Sequence, residues 1–396
     1  MNVIVIGAGA SGLVASIIAK EKGDDVTLLE KENKVGRKLL MTGNGHCNMA
    51  HTDINPSDYY DDSSDNQDFV SNVLDNFSFA EFTNFFRRIG VITKDEDGYI
   101  YPASMQATTV VNALRNQAES LGVKIKTNNE VKNIEFRDNT YFVDCGYVYE
   151  CEKLIVASGG LSYTNIDSPK NVLASIQNLG IEVRDPEPAL TALISDSNIT
   201  KASGVRVNAK IRLFDAGEGV ISEYGQIQIT DYGISGITVF NISRFVNSGN
   251  EIHVDFVNDT DKEDLINDLN VLLSTNNLSI YNLLCSLLND KLAALIVEEL
   301  GVEKESDVSS DLLEKAVSLI KDYVVKISGK RDFDFAQVTK GGVSTKCIDS
   351  KTMKVNGHDN LYLCGELIDV DSKCGGYNLY FAWATGFIAG NNWWVI

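Results

Sequence analysis

The sequence is poor in the groups that hold metals or cross-link chains. Its four histidines, at 46, 51, 253 and 358, are scattered, so neither a metal cluster nor a catalytic triad is implied. Seven cysteines, at 47, 145, 151, 285, 347, 364 and 374, are odd in number and contain no C-x-x-C pair. That excludes a disulfide framework and a zinc ribbon, and it fits a reducing cytoplasm. Basic residues are also short, 35 against 55 acidic, for a net charge of −20. Such a balance opposes a phosphate-tracking surface and argues against nucleic-acid binding. No run approaches about 18 apolar residues, and the chain starts on strand-like residues without a charged, apolar leader, so neither a membrane span nor export is expected.

What the chain does have is concentrated at its start. Asn2-Val-Ile-Val-Ile6 reads as a strand, Gly7-x-Gly9-x-x-Gly12 as a turn, Leu13 to Lys22 as an amphipathic helix, and Val26-Thr-Leu-Leu29 as a second strand ending at Glu30. In this pattern Gly7 permits the tight turn, Gly9 lets backbone approach a pyrophosphate, Gly12 lets helix and strand pack closely, and Glu30 accepts from ribose hydroxyls. Ala10, Ser11 and Lys31 belong to the same cofactor-binding turn. The helix N-terminus would receive the phosphates. A lone G-x-G-x-x-G is weak evidence, but strand, helix and acid in this order identify a dinucleotide-binding unit. No later G-x-G-x-x-G follows a strand, so a dedicated NAD(P)H domain is not expected.

At 396 residues, 44% of them hydrophobic, the chain exceeds one ordinary core and predicts two or three domains. His51 to Asp68, rich in aspartate, reads as an exposed excursion. Three short runs, Val131 to Phe136, Tyr141 to Cys145 and Tyr147 to Glu150, predict an antiparallel meander. Beyond Pro186 and Pro188 the texture becomes strand-sized: Leu190 to Ile194, Val205 to Phe214, Val220 to Ser222, Ile227 to Thr230 and Ile252 to Val257. From Asp261 to Tyr323 leucines recur at helical spacing and read as packing residues.

Four later pieces carry a family likeness: Gly36 to Asn48, Ser158 to Tyr163, Thr339 to Val343, and Cys364 to Asp371 followed by Gly375-Gly-Tyr-Asn378. With the opening turn, they resemble the bacterial YhiN-like flavoproteins, also called the aminoacetone oxidase family of FAD-binding enzymes. The resemblance runs nearly end to end. It implies an α/β fold: a Rossmann-like FAD-binding domain of the two-dinucleotide-binding-domain flavoprotein type, with an inserted β-barrel domain and a small helical domain. The expected boundaries are 1–187 and 330–396 for the FAD-binding domain, 188–260 and 324–329 for the β-rich domain, and 261–323 for the helical insertion. It implies noncovalent FAD and a small-molecule substrate, with NAD(P)H admitted as a transient electron donor. Both an amine-type oxidase and a reductase of activated carbon–carbon double bonds stay open. So does a flavin-binding or redox-sensing protein without turnover.

The cofactor contacts implied on these pieces are Gly36, Arg37, Lys38, Thr42, Gly43, Asn44 and Asn48 in the first, with Val131, Ser158, Gly159 and Gly160 farther on. Toward the end they are Gly341, Gly342, Gly365, Glu366, Gly375, Gly376, Tyr377 and Asn378. Arg37 and Lys38 would neutralise or orient the nucleotide. The Gly375 to Asn378 turn would present helix N–H groups to the flavin's pyrimidine edge, where charge gathers on reduction. Glu366 reads either as a ribityl contact or as a loop cap, and Asp369 carries the same loop-capping alternative. Tyr163, Tyr232 and Tyr377 are pocket candidates, since a phenol offers both apolar area and a proton. The catalytic residue itself is unassigned, and Cys47, Cys364 and Cys374 lack the pairing of a redox dithiol.

Three departures from the family pattern stand out. His46 occupies a usual arginine position and reads either as a lost guanidinium contact or as a solvated loop residue. Thr164 to Lys170 replaces a Gly-Asp-Gly turn. Asp231 stands where a histidine is usual.

Overall fold

A computed structural model describes residues 1–62, 67–163 and 168–391. The chain forms two compact units, Met1–Glu187 with Val338–Ile396, and Pro188–Gln337.

The first unit is organised by a five-stranded parallel sheet. The strand Asn2–Ile6 lies at its centre, between Lys153–Val156 and Asp25–Leu29, and the edges are Leu361–Leu363 and Lys124–Lys126. Central strands covered on both faces need apolar side chains in succession, and Val3 to Ile6 and Leu154 to Val156 are buried without interruption. The helix Ala10–Glu21 packs against two further helices, Ala107–Leu121 and Tyr377–Gly390. It therefore departs from the expected amphipathic pattern: Ser11 to Ala19 are all buried, because protein covers every side of it. Its contact with the last helix is close. A Cβ on Gly386 would lie 2.4 Å from Ser11 O, and one on Gly390 2.6 Å from Ala15 O.

The meander is present as Asn133–Arg137, Thr140–Asp144 and Val148–Cys151, paired antiparallel. The stretch after His51 is not the free excursion that its polarity predicts. Tyr59–Tyr60 pairs with Asp371–Ser372, Lys373 Nζ meets Asp58 at 2.7 Å, and Tyr59 OH donates to Tyr377 O at 3.0 Å. Its aspartates are anchors for distant segments: Thr345 donates to Asp61 at 2.6 Å and Lys340 lies 3.2 Å from Asp62.

The second unit has its own apolar core. Seven strands run in the order Tyr323–Lys326, Glu251–Asp255, Arg206–Asp215, Glu218–Thr230, Gly233–Ser235, Leu193–Ile194 and Gly329–Lys330. The two outermost strands are successive parts of one stretch, 323–330, so the sheet returns on itself in the manner of a barrel. The expected separate strands at 220–222 and 227–230 are one strand, because Gly225 continues it; a Cβ there would meet Thr238 Oγ1 at 2.6 Å. Four helices, Lys262–Thr275, Ile280–Cys285, Asp290–Glu299 and Ser310–Lys321, pack most of their leucines into the same core, while Leu272 is exposed. Ser279, Asn289 and Ser309 cap three of them through side-chain acceptors.

Candidate functional site

The opening turn separates glycines that the protein itself requires from one that it does not. Gly7 has φ +97°, and a Cβ on it would lie 2.3 Å from Ala157 O; a Cβ on Gly12 would lie 1.9 Å from Gly7 O. Around Gly9 a Cβ would meet no protein atom within 4 Å. The helix begins at Ala10 with no side-chain cap and no acidic residue in its first turn. Its unpaired N–H groups and positive dipole end thus face an open cradle suited to an anion. At the end of the second strand the Glu30 carboxylate is buried and oriented: Oε2 accepts from Ala8 N at 2.7 Å and Oε1 from Glu32 N at 2.9 Å. Burial raises its pKa, while these two hydrogen bonds and Lys31 oppose the shift. Each oxygen keeps a second acceptor direction for a ribose hydroxyl. Beside it, Lys31 Nζ is buried with no hydrogen-bond partner among the described residues, and burial lowers its pKa. An oriented acid, an unsatisfied ammonium and a backbone cradle fit the adenine nucleotide half of FAD.

The loop after Glu30 is held internally. Gly36 (φ +69°) lies against Val111, and Arg37 is committed to Glu32 at 2.6 Å while remaining largely exposed. Gly43 and Asn44 both adopt left-handed backbone, at φ 55° and 53°, Thr42 Oγ1 donates to Leu39 O at 2.7 Å, and Cys47 N donates to Thr42 O at 3.0 Å. His46 donates from Nδ1 to Met105 O at 2.7 Å in an exposed setting, which supports the solvated-loop alternative.

Glu366 joins four segments. Its Oε2 accepts from Lys38 Nζ at 2.9 Å and Gly160 N at 3.2 Å; its Oε1 accepts from Ser162 Oγ at 3.0 Å and Thr339 N at 2.8 Å. Thr339 Oγ1 in turn accepts from Leu161 N at 2.7 Å. Glu366 is therefore held as a cap for backbone, with Lys38 as its counter-ion. Gly160 is required for this arrangement, since a Cβ would lie 2.4 Å from Thr339 Oγ1. Gly341 and Gly342 are needed for protein contacts too: a Cβ on them would strike Asp185 O at 2.6 Å and Leu367 O at 2.5 Å. Gly159 opens to free space, and Ser158 Oγ is buried without a partner among the described residues. Val131 is buried just ahead of the meander. Asp369 is wholly buried, with Arg184 Nε 3.6 Å away.

At the start of the last helix Gly376 (φ +92°) fits against Ala50 O and Asn48 Oδ1, which a Cβ would approach to 2.6 and 2.7 Å. Gly365 N donates to Thr385 Oγ1 at 2.9 Å, and a Cβ on Gly365 would meet Ser11 Oγ at 2.4 Å, so the nucleotide turn and the last helix are locked together. Asn378 is spent on the preceding loop, accepting from Ser372 N at 2.9 Å and donating to Ser372 O at 3.0 Å. Tyr377 is buried, stacked on His51 with ring centroids 5.3 Å apart and with Lys373 Nζ 4.9 Å from its ring. Burial raises its pKa and Lys373 opposes. Gly375 lies between the Tyr377 and Tyr99 rings. Tyr163 is half-buried at φ 55°, its phenol pushed up by burial and by the neighbouring Cys374.

Not every candidate gathers here. Tyr232 and Asp231 belong to the second unit, and Asp231 is exposed. Thr164 to Asp167 lie outside the described residues. None of the seven cysteines is in a disulfide; burial pushes the thiols of Cys47 and Cys364 up to about 12, where neither is a nucleophile. No group of three or more metal-ligating side chains occurs among the described residues, and none of the helices searched is long and apolar enough to cross a membrane. Sequence reasoning missed two residues with strong surroundings. His51 joins the Tyr377 cluster, and Arg331 stacks on Tyr232 and Phe335. Only the i, i+4 spacing of Arg331 and Phe335 gave a signal.

Comparison with known proteins matches residues 1–392 to the family described as HI0933-like protein Rossmann domain. A 3-dehydro-bile acid delta(4,6)-reductase of Clostridium scindens is 33% identical over 98% of this chain and 97% of its own. A ribosomal RNA dihydrouridine synthase of Haemophilus influenzae is 30% identical, over 97% of this chain and 96% of its own. Among solved structures, the 3-ketosteroid-delta4-(5alpha)-dehydrogenase of Rhodococcus jostii shares the fold at TM-score 0.51 and 14% identity, over 98% of this chain and 96% of its own. The whole-chain family match and the intact nucleotide cradle lead to one conclusion: the chain belongs to the HI0933-like Rossmann family of FAD-dependent oxidoreductases.

Proposed function

We propose that this chain is a reductase that saturates a carbon–carbon double bond conjugated to a carbonyl in a small organic molecule. The observation that carries this reading is the end-to-end likeness to the bile acid reductase. The dihydrouridine synthase relative supports the bond type, because the double bond lost in forming dihydrouridine is also conjugated to a carbonyl. The net charge of −20 favours a small molecule over RNA, since a polyanion would meet long-range repulsion.

Bound FAD supplies the hydride transfer. The chain's own part is to hold it: the Gly9 cradle and helix N-terminus take the pyrophosphate, Glu30 takes the ribose, and the Glu366 cluster keeps the 36–48 and 158–163 segments in place. NADH or NADPH as a donor that docks and leaves is part of this reading, given the single nucleotide turn, as is a cytoplasmic site of action, given seven cysteines without a disulfide.

The test is anaerobic. Holoprotein mixed with NADH or NADPH is expected to bleach near 450 nm, roughly where oxidised flavins absorb, and to recover colour when a 3-oxo-Δ4,6-steroid acid is added. Failure to bleach with either nucleotide, or colour recovery with uridine-containing RNA and not with the enone, would overturn it.

A further inference from the structure

Arg331 follows the strand Gly329–Lys330 in the second unit, and its backbone is fixed there: its N–H donates to Ala192 O at 2.9 Å and its carbonyl accepts from Thr191 Oγ1 at 3.3 Å. A turn closed by Phe335 N donating to Asp332 O at 3.0 Å brings residue 335 back under residue 331. The guanidinium carbon lies 3.5 Å from the Phe335 ring centroid and 4.6 Å from that of Tyr232. Ring contacts of this kind use the face of the guanidinium plane and leave its in-plane N–H fork available. No hydrogen bond or ion pair to that fork occurs among the described residues, although Asp231, Asp332 and Asp334 are neighbours in sequence. The charge is permanent, because arginine does not deprotonate in proteins. Phe335 is 51% exposed, so an open aromatic surface adjoins the unpaired fork.

We propose that Tyr232, Arg331 and Phe335 form a binding site for a monocarboxylate carried on a largely apolar ring body. The fork matches both oxygens of a carboxylate, and the exposed part of the Phe335 side chain takes the body. A phosphate would also match the fork, but its second charge would be set against three nearby aspartates and the chain's overall −20. This goes beyond the reductase reading, since all three residues belong to the second unit and binding there needs no flavin.

The experiment needs no hydride transfer. Cholate and its uncharged methyl ester, one ring body with and without the carboxylate, are titrated into oxidised holoprotein below their aggregation limits and followed by calorimetry. Wild type is expected to prefer cholate by roughly tenfold or more, as a charge-assisted hydrogen-bonded pair supplies. Arg331→Gln should abolish the preference while leaving methyl ester binding intact, Arg331→Lys should retain part of it, and Phe335→Ala should weaken both ligands. Equal affinity of wild type for the two, no binding of either, or an unchanged preference in Arg331→Gln overturns the proposal. A reductase that bleaches and turns over an enone yet shows no carboxylate preference keeps the function and loses this site; a protein that never bleaches but shows the preference does the reverse.

Discussion

The carboxylate of Glu366 receives the ammonium of Lys38 at 2.9 Å although 328 residues separate them in the chain. Both groups are only partly buried, with side-chain exposures of 21% and 31%, so the ion pair by itself contributes about 1 kcal/mol at most. Glu366 matters more as the acceptor for Gly160 N, Ser162 Oγ and Thr339 N, which Gln cannot serve equally, since one of its two heads is a donor. Glu366→Gln should cost about 1–3 kcal/mol, and Lys38→Met less. A double-mutant cycle on urea unfolding checks this. Equal losses for the two single variants would show that the backbone bonds are not the main contribution.

Gly9 and Gly12 are expected to respond oppositely to alanine. Gly9 has φ −85° and open space, so Gly9→Ala should fold with an unchanged melting curve as apoprotein but lose flavin, because the methyl group fills the cradle. Gly12→Ala should fail to fold stably, since its Cβ would fall 1.9 Å from Gly7 O. Flavin absorbance per mole of protein, read beside circular-dichroism melting, separates the two. Full flavin occupancy in Gly9→Ala would remove the cradle from consideration.

Lys153 is 1% exposed on a central strand, and burial lowers its pKa to about 8, with Asp24 opposing. Below the folded pKa the ammonium is charged in both states and the folded protein bears the full burial cost, on the order of 3 kcal/mol. Between about 8 and lysine's ordinary value of 10.5 the unfolded chain binds more protons, so stability rises with pH across that window. Lys153→Met should therefore be more stable than wild type at pH 7, with the advantage shrinking toward pH 10. Chemical denaturation at several pH values measures it, and an advantage independent of pH would contradict the assignment.

Thiol labelling should follow burial. Cys285 is exposed and is expected to react first with iodoacetamide, while Cys47, Cys151 and Cys364, buried and pushed up to about 12, should stay unmodified until the protein unfolds. Mass spectrometry of briefly labelled native protein decides this. Early modification of Cys364 would reopen a redox role.

Local spacing carried the opening unit: Gly7 and Gly12 have their reasons within a few residues and within one neighbouring strand. It failed where the reason lay across the chain. The aspartates after His51 read as solvent-facing because their partners, Thr345, Lys340 and Lys373, come from the far end of the chain. Gly376 read as a flavin contact, yet Ala50 and Asn48 already require it, so Gly376→Val should destabilise the fold by about 1–3 kcal/mol as overpacking does, before any change in flavin chemistry is seen. Asn378, read as a cofactor ligand, has its side chain on Ser372. The long strand Glu218–Thr230 runs unbroken through Gly225, where glycine ordinarily interrupts a strand, and packing against Thr238 supplies the exception.

The edge strand Leu361–Leu363 and the last helix are made only after Pro188–Gln337 has been synthesised. On the ribosome the intervening unit, contiguous in sequence, can acquire its core while the parallel sheet still waits for its final strand and the helix Ala10–Glu21 still lacks one of the surfaces that bury it. The Ser11 and Ala15 face of that helix, which Gly386 and Gly390 cover in the folded chain, thus stays without its partner until the C-terminal segment has been made.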